Sequence, residues 1–92
     1  MNILSAPSYR RAAKKRSAQE LADIAAAVAD LPGIIGQPHQ HSGRGIRRLK
    51  PSVFEFRVGL KLRVLFTLES GDVILQTVGN HDHIKQFLRE NF

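Results

Sequence analysis

Two arginines, Arg57 and Arg63, stand on either side of a glycine turn in the stretch VFEFRVGLKLRVLFTL, residues 53–68. If the two halves pair as strands about a three-residue loop at 59–61, Arg57 lies directly opposite Arg63. Like charges at that spacing repel each other, so we expect an anion to bind between them. Guanidinium groups bind phosphate through two parallel hydrogen bonds, which favours a phosphodiester. The alternative is that Glu55, on the same face, neutralises both arginines in a surface ion cluster of little energetic consequence.

A second group of reactive side chains follows the last apolar segment, where His81 and His83 flank Asp82. Imidazole transfers protons near neutral pH, and a phosphate-binding arginine pair beside it suggests RNA cleavage without a metal. In that reaction the 2′-hydroxyl attacks its own phosphate, one group removes its proton, and another protonates the leaving oxygen. Glu55 or a histidine is the candidate base, and the sequence does not assign the two roles. Asp82 is also a candidate N-cap for a terminal helix.

Two His-x-His pairs raise the question of a metal, because a strand with this pattern presents both rings on one side. The first pair is His39 and His41, and the second is His81 and His83. Both pairs lie in predicted loops or at the end of an element, and no cysteine or flanking acidic cluster completes a site. We therefore expect no metal and no cofactor.

The overall charge indicates a negatively charged partner. Fourteen Lys and Arg against eight Asp and Glu give a formal net charge of +6, which attracts a polyanion or an acidic protein. Charge alone does not distinguish nucleic acid, a membrane surface and a protein. The residues expected to extend the positive field of the arginine pair, and hence to bind RNA, are Arg47, Arg48, Lys50 and Lys61.

Alternation over residues 53–68 predicts two strands with one apolar face and one polar face. A Ser-Gly turn then leads to a further strand, Val73–Gly79. Pairing Leu68 with Val73 continues the register, which places Thr77 on the apolar face and Val78 beside Arg63. The residues of the apolar face are Phe54, Phe56, Val58, Leu62, Val64, Phe66 and Leu68.

The N-terminal segment predicts a short strand at 2–5 and then one or two helices. Ser17 and Glu20 have the spacing of a capping box, and an apolar stripe follows at helical spacing until Pro32 and Gly33 end the helix. After the last strand, a terminal helical turn or two is expected. The predicted fold is α+β: an N-terminal strand plus a three-stranded antiparallel meander, covered on one face by helices. The other face, with the arginines, is expected to stay open.

Length and composition limit the class of protein. Ninety-two residues make one small domain, 1–92, and no apolar run is long enough to span a bilayer. There is no cysteine, which suits a reducing compartment, and the N-terminus lacks the charge order of a secretory signal. We expect a cytoplasmic protein with no membrane partner.

The run LKPSVFEFRVGLKLRVLFTLESGDVILQTVGNHDHIKQF, residues 49–87, resembles the C-terminal half of the RelE/ParE toxin superfamily. In that family a stretch like xxRVGxxxRVxF precedes a turn, an apolar strand ending in Val-Gly, and a basic or histidine-containing tail. The segment ILSAPSYRRAAKK, residues 3–15, resembles the first strand and basic helix of the family. By this resemblance Arg57 and Arg63 match the arginines of the second and third strands, and His81 falls where many members have Arg or His. Phe87 falls where several have a tyrosine, so no phenolic hydroxyl acts there.

The resemblance implies a toxin of a type II toxin–antitoxin pair, held inactive by a cognate antitoxin. RelE-like members cleave mRNA on the ribosome, so an mRNA endoribonuclease that inhibits translation is the leading expectation. ParE-like members share the fold but inhibit DNA gyrase, which is the alternative. A third reading is a degenerate toxin that only binds its antitoxin. We expect an antitoxin to cover the basic face or the N-terminal helix with an acidic or amphipathic segment.

Overall fold

The computed structural model describes residues 1–35 and 45–92. The strands within these residues are β1 (Ile3–Ser5), β2 (Ile46–Lys50), β3 (Val53–Val58), β4 (Leu62–Glu69) and β5 (Asp72–Gly79). The helices are α1 (Pro7–Ala13) and α2 (Ala18–Ile34), which separate β1 from β2, and α3 (His81–Asn91), which follows β5. None of them is long and apolar enough to cross a bilayer.

The strands form one mixed sheet in the order β1-β5-β4-β3-β2. The α+β prediction and its antiparallel meander, β3 to β5, are confirmed. Two details differ from the prediction: β1 pairs with β5 in parallel, and β2 adds an edge strand beside β3. The register of β2 shifts between Arg48 and Lys50, so its side chains lack the regular alternation that identifies a strand from sequence.

The register predicted for the hairpin of β3 and β4 is confirmed. Its central pairs are Val58 with Leu62, Arg57 with Arg63, and Phe56 with Val64. The apolar face is buried, and Phe66 stacks on Phe54 with ring centroids 5.4 Å apart. Buried side chains of α1 and α2 complete this core: Tyr9, Ile24, Leu31 and Ile34.

The N-terminal helices cover this face. Tyr9 of α1 lies in the core, where desolvation by burial raises the pKa of its phenol. The capping box of α2 is confirmed, because Ser17 Oγ accepts from the backbone N–H of Glu20 while Glu20 Oε1 accepts from that of Ser17. The predicted end of this helix is wrong. Pro32 lies inside the last turn and α2 continues to Ile34.

A β-bulge changes the register of β5. Leu65 pairs with Thr77 while Phe66 pairs with Leu75, so one extra residue stands in β5 at Gln76. As a result Thr77 lies on the face of Leu65, opposite to the predicted one. The predicted neighbour of Arg63 is also wrong, because Gly79 stands beside it in place of Val78.

The second face of the sheet is half covered, which corrects the expectation that it stays open. Helix α3 packs Ile84 against Leu65 and Val53 in a second apolar cluster. The helix has eleven residues, longer than the turn or two expected. Asn80 caps its start, where its Oδ1 accepts from the backbone N–H of His83 at 2.9 Å. The remainder of this face carries the ionic side chains.

Candidate active site

Glu55 is the centre of the ionic cluster. Its side chain is 2% exposed, and its Oε1 lies 2.8 Å from Arg47 Nη2 and 3.2 Å from Arg63 Nη1. Its other oxygen, Oε2, is buried and has no hydrogen-bond partner within residues 1–35 and 45–92. The alternative predicted from the sequence, in which Glu55 neutralises the arginine pair, is therefore present for Arg63. The second cation of this ion cluster is Arg47.

Arg57 stands directly opposite Arg63 but is exposed, and no ion pair joins it to Glu55 in the described part of the chain. Arg47, Glu55, Arg57 and Arg63 together line a concavity of about 380 Å³, which we call the arginine cleft. Three guanidinium groups against one carboxylate leave this cleft positively charged. An anion that enters it meets the exposed side chain of Arg57 and the partly exposed head of Arg63.

His83 lies on the same face, beside the arginine cleft. A Cβ atom on Gly79 would come within 2.5 Å of His83 Cδ2, so the ring rests directly over the glycine backbone. Nε2 of the ring is 2.7 Å from Thr77 Oγ1, and Phe87 flanks the ring at a centroid distance of 6.4 Å. Gly79 pairs with Arg63, and Arg63 contacts Glu55. Arg63 therefore lies between Glu55 and His83 on this face of the sheet.

His81, Asp82 and His83 are all exposed in the first turn of α3, and none of the three lines the arginine cleft. His83 is the one whose ring bonds to Thr77. Asp82 is not the N-cap predicted from the sequence, because Asn80 occupies that position. The link between His83 and the arginines is Gly79, which lies under the His83 ring and pairs with Arg63.

The other basic residues predicted to bind RNA are spread over the edge of the sheet. Of the four, only Arg47 lines the arginine cleft. Arg48 donates to the carbonyl oxygen of Pro51 at 2.8 Å, Lys50 Nζ donates to a backbone oxygen of Phe92 at 2.6 Å, and Lys61 is exposed at the hairpin turn. At the opposite side of His83, Lys15 and Arg16 of the N-terminal basic segment line a concavity of about 230 Å³ with the ring.

Residues 1–35 and 45–92 hold no cluster of three His, Asp or Glu side chains that could bind a metal ion. His39 and His41 lie outside the described residues. The cleft offers cationic donors and a buried carboxylate, and the His83 imidazole lies over Gly79, the strand partner of Arg63. These groups match the needs of phosphodiester chemistry: charge stabilisation, a proton acceptor and a proton donor.

Comparison by structure identifies the fold. A RelB–RelE antitoxin–toxin complex from Methanococcus jannaschii contains a chain that superposes at TM-score 0.69 and 13% identity, over 91% of this chain and 96% of that one. YafQ from E. coli superposes at TM-score 0.67 and 11% identity, over 90% and 96%. The chain has the RelE-like toxin fold. A third structure with this fold, in the YoeB–YefM complex from Staphylococcus aureus, superposes at TM-score 0.59 and 18% identity, over 88% and 97%.

At the level of sequence, no protein-family model and no curated protein matches this chain. The identities to the RelE-like structures are low, so the likeness is one of fold.

Proposed function

We propose that the protein is the toxin of a type II toxin–antitoxin pair and that it cleaves mRNA on the ribosome. The observation that carries this proposal is the row of Glu55, Arg63 and His83 on one face of the sheet. A carboxylate, a guanidinium and an imidazole in this order supply a base, an anion holder and an acid. The RelE-like fold supports the toxin role, because structures with this fold include chains from antitoxin–toxin complexes.

In the proposed reaction the scissile phosphate binds between Arg57 and Arg63. The Glu55 carboxylate takes the proton of the 2′-hydroxyl, the 2′-oxygen forms a bond to phosphorus, and the bond from phosphorus to the 5′-oxygen breaks. His83, as the imidazolium, gives a proton to the departing 5′-oxygen and becomes neutral. The products are a 2′,3′-cyclic phosphate and a 5′-hydroxyl, and the guanidinium groups stabilise the added negative charge of the transition state.

Glu55 is favoured as the base over His81 because it lines the arginine cleft and His81 does not. Its free oxygen, Oε2, has no hydrogen-bond partner in the described chain, while the same carboxylate is fixed through Oε1 by two arginines. A fixed carboxylate with one unused oxygen is oriented for proton transfer. Glu55→Gln keeps the shape and removes the base, so it should lower kcat with little change in KM.

Mapping mRNA ends after incubation with translating ribosomes tests the proposal. The wild-type protein should produce new 5′-hydroxyl ends, and Arg63→Ala and His83→Gln should remove them. Arg89→Ala is the control, since Arg89 is exposed in the last turn of α3 and lies outside the arginine cleft. Intact mRNA with active, antitoxin-free protein would contradict cleavage. Inhibition of supercoiling by that same protein would then favour the gyrase alternative.

We also propose that an acidic or amphipathic antitoxin segment covers the arginine cleft. The support is the net charge of +6 and the antitoxin–toxin complexes solved for the YoeB and RelE neighbours. Ribosomes as the target place the site of action in the cytoplasm. Antitoxin binding should weaken when Arg57 and Arg47 are changed to Ala, and a complex that leaves the cleft and α1 exposed would contradict this interface.

A further inference from the structure

Thr77 carries a hydroxyl group that is buried against the His83 ring. The residue is 1% exposed, and its Oγ1 lies 2.7 Å from Nε2 of the imidazole. Nε2 is the hydrogen-bond partner of Oγ1 within residues 1–35 and 45–92. A buried hydroxyl hydrogen without an acceptor costs free energy, so the O–H bond of Thr77 should point at this nitrogen.

The direction of that hydrogen bond determines which ring nitrogen holds the proton. If Thr77 donates to Nε2, the neutral imidazole must carry its hydrogen on Nδ1. The ring is then held with its hydrogen at Nδ1, the nitrogen that forms no hydrogen bond with a described residue.

The ring is also held by its other neighbours. Its Cγ and Cδ2 atoms rest over Gly79, where a Cβ atom would approach to 2.6 Å and 2.5 Å, and Phe87 flanks it. The β-bulge at Gln76 is what turns Thr77 toward this face, since a regular register would place its hydroxyl in the apolar core. The β-bulge at Gln76 and the absence of a side chain at Gly79 thus both determine where the His83 ring lies.

We propose that Thr77 is a positioning residue for His83, fixing the orientation of the ring and, while the ring is neutral, the tautomer with its hydrogen on Nδ1. This inference rests on the proposed function for the catalytic role of the ring. The geometry of the pair, by contrast, belongs to the free protein. It can therefore be tested with and without RNA.

The first test is ¹⁵N NMR of the His83 ring in the full chain at a pH where the ring is neutral. The wild-type protein should show Nδ1–H, and Thr77→Val should move the proton to Nε2, the nitrogen that free histidine prefers. Thr77→Ser keeps the hydroxyl and should retain the wild-type pattern. An Nε2–H ring in the wild type, or an unchanged ring in Thr77→Val, would overturn the proposal.

Thr67→Val is the matched control. Thr67 is also a buried threonine on this face of the sheet, but its hydroxyl bonds to Gln76 and Glu69. Its replacement should leave the His83 signals unchanged. A similar tautomer change in Thr67→Val would show a general effect of losing a buried hydroxyl and would overturn a specific role for Thr77.

The second test is single-turnover mRNA cleavage on the ribosome. Thr77→Val should lower kcat about tenfold, the effect of one lost hydrogen bond, with KM unchanged, and Thr77→Ser should restore most of the rate. An unchanged kcat in Thr77→Val would overturn the positioning role in catalysis. If the wild type cleaves nothing while the tautomer still depends on Thr77, the proposed function fails and the holding of the ring stands.

Discussion

The two faces of the sheet use similar strand positions for opposite purposes. On the apolar face, Phe66 and its neighbours are buried under α1 and α2 and have neutral, well-packed partners. On the other face, α3 covers one half, and the uncovered half holds Glu55 beneath two arginines. The first face is organised by loss of water, which is non-directional, and the second by hydrogen bonds and charge, which are directional. Substitutions on the two faces should therefore fail in different ways.

The largest effect is expected from Phe66→Ala on the apolar face. Phe66 is 0% exposed and contacts the rings of Phe54 and Phe56. Removing it should lower the free energy of unfolding by about 3–5 kcal/mol, through lost burial and a cavity. Urea unfolding followed by circular dichroism measures this loss.

Phe92→Ala is the control for Phe66→Ala. Phe92 is an exposed phenylalanine at the C-terminus, and its removal should change the free energy of unfolding much less. Equal losses for the two variants would contradict the assignment of the core to the α1 and α2 side of the sheet.

Much of this contrast between the two faces can be predicted from the sequence, because it depends on the alternation of apolar and polar residues along the strands. Strict alternation over residues 53–68 fixed the faces and the pairing of Arg57 with Arg63, since a shift by one residue would expose the whole apolar set. The fold class and the capping box of α2 followed from similar local rules. These features are set by neighbours in the chain.

What the sequence could not reveal depends on irregularity or on distant contacts. The β-bulge at Gln76 interrupts the alternation of β5. Regular alternation therefore predicts the wrong face for Thr77 and does not predict its contact with His83. Strand β2 was missed because its register shifts at Arg48–Lys50. Asp82 and Asn80 are both good caps by residue type, and only the position at which β5 ends selects Asn80.

Arg63→Ala should give the largest effect on the polar face, and it should appear in activity. Loss of the central guanidinium from the row should reduce kcat for mRNA cleavage about 10²–10³-fold. Glu55 keeps its bond to Arg47, so the loss of stability should be smaller than for Phe66→Ala. Cleavage rates and urea midpoints on the same preparation separate the two effects. A variant that unfolds as readily as Phe66→Ala would show that this face is also structural.

Gly79→Ala is expected to act on His83 without disturbing the core. The new methyl group would meet His83 Cδ2 at 2.5 Å, so the ring must leave Thr77 and the rate should fall about tenfold. Gly71→Ala is the opposite control. Gly71 has φ +82° and open space around it, so alanine there should cost stability by about 1 kcal/mol and leave kcat unchanged. Retained activity in Gly79→Ala would contradict the placement of His83 over Gly79.

The smallest effect tests whether the apolar face depends on the ends of its helices as well as on packing. Ser17→Ala removes the N-cap of α2 and should lower the free energy of unfolding by about 1 kcal/mol at neutral pH, with kcat unchanged.

The hydrogen bond from the backbone N–H of Ser17 lowers the pKa of Glu20 in the folded protein. A lowered folded-state pKa gives stability that is present above the ordinary pKa of glutamate and is lost as pH falls through the folded value. The difference in urea midpoint between Glu20→Ala and wild type should therefore shrink on acidification. A difference that grows would contradict the stabilising role of the capping box.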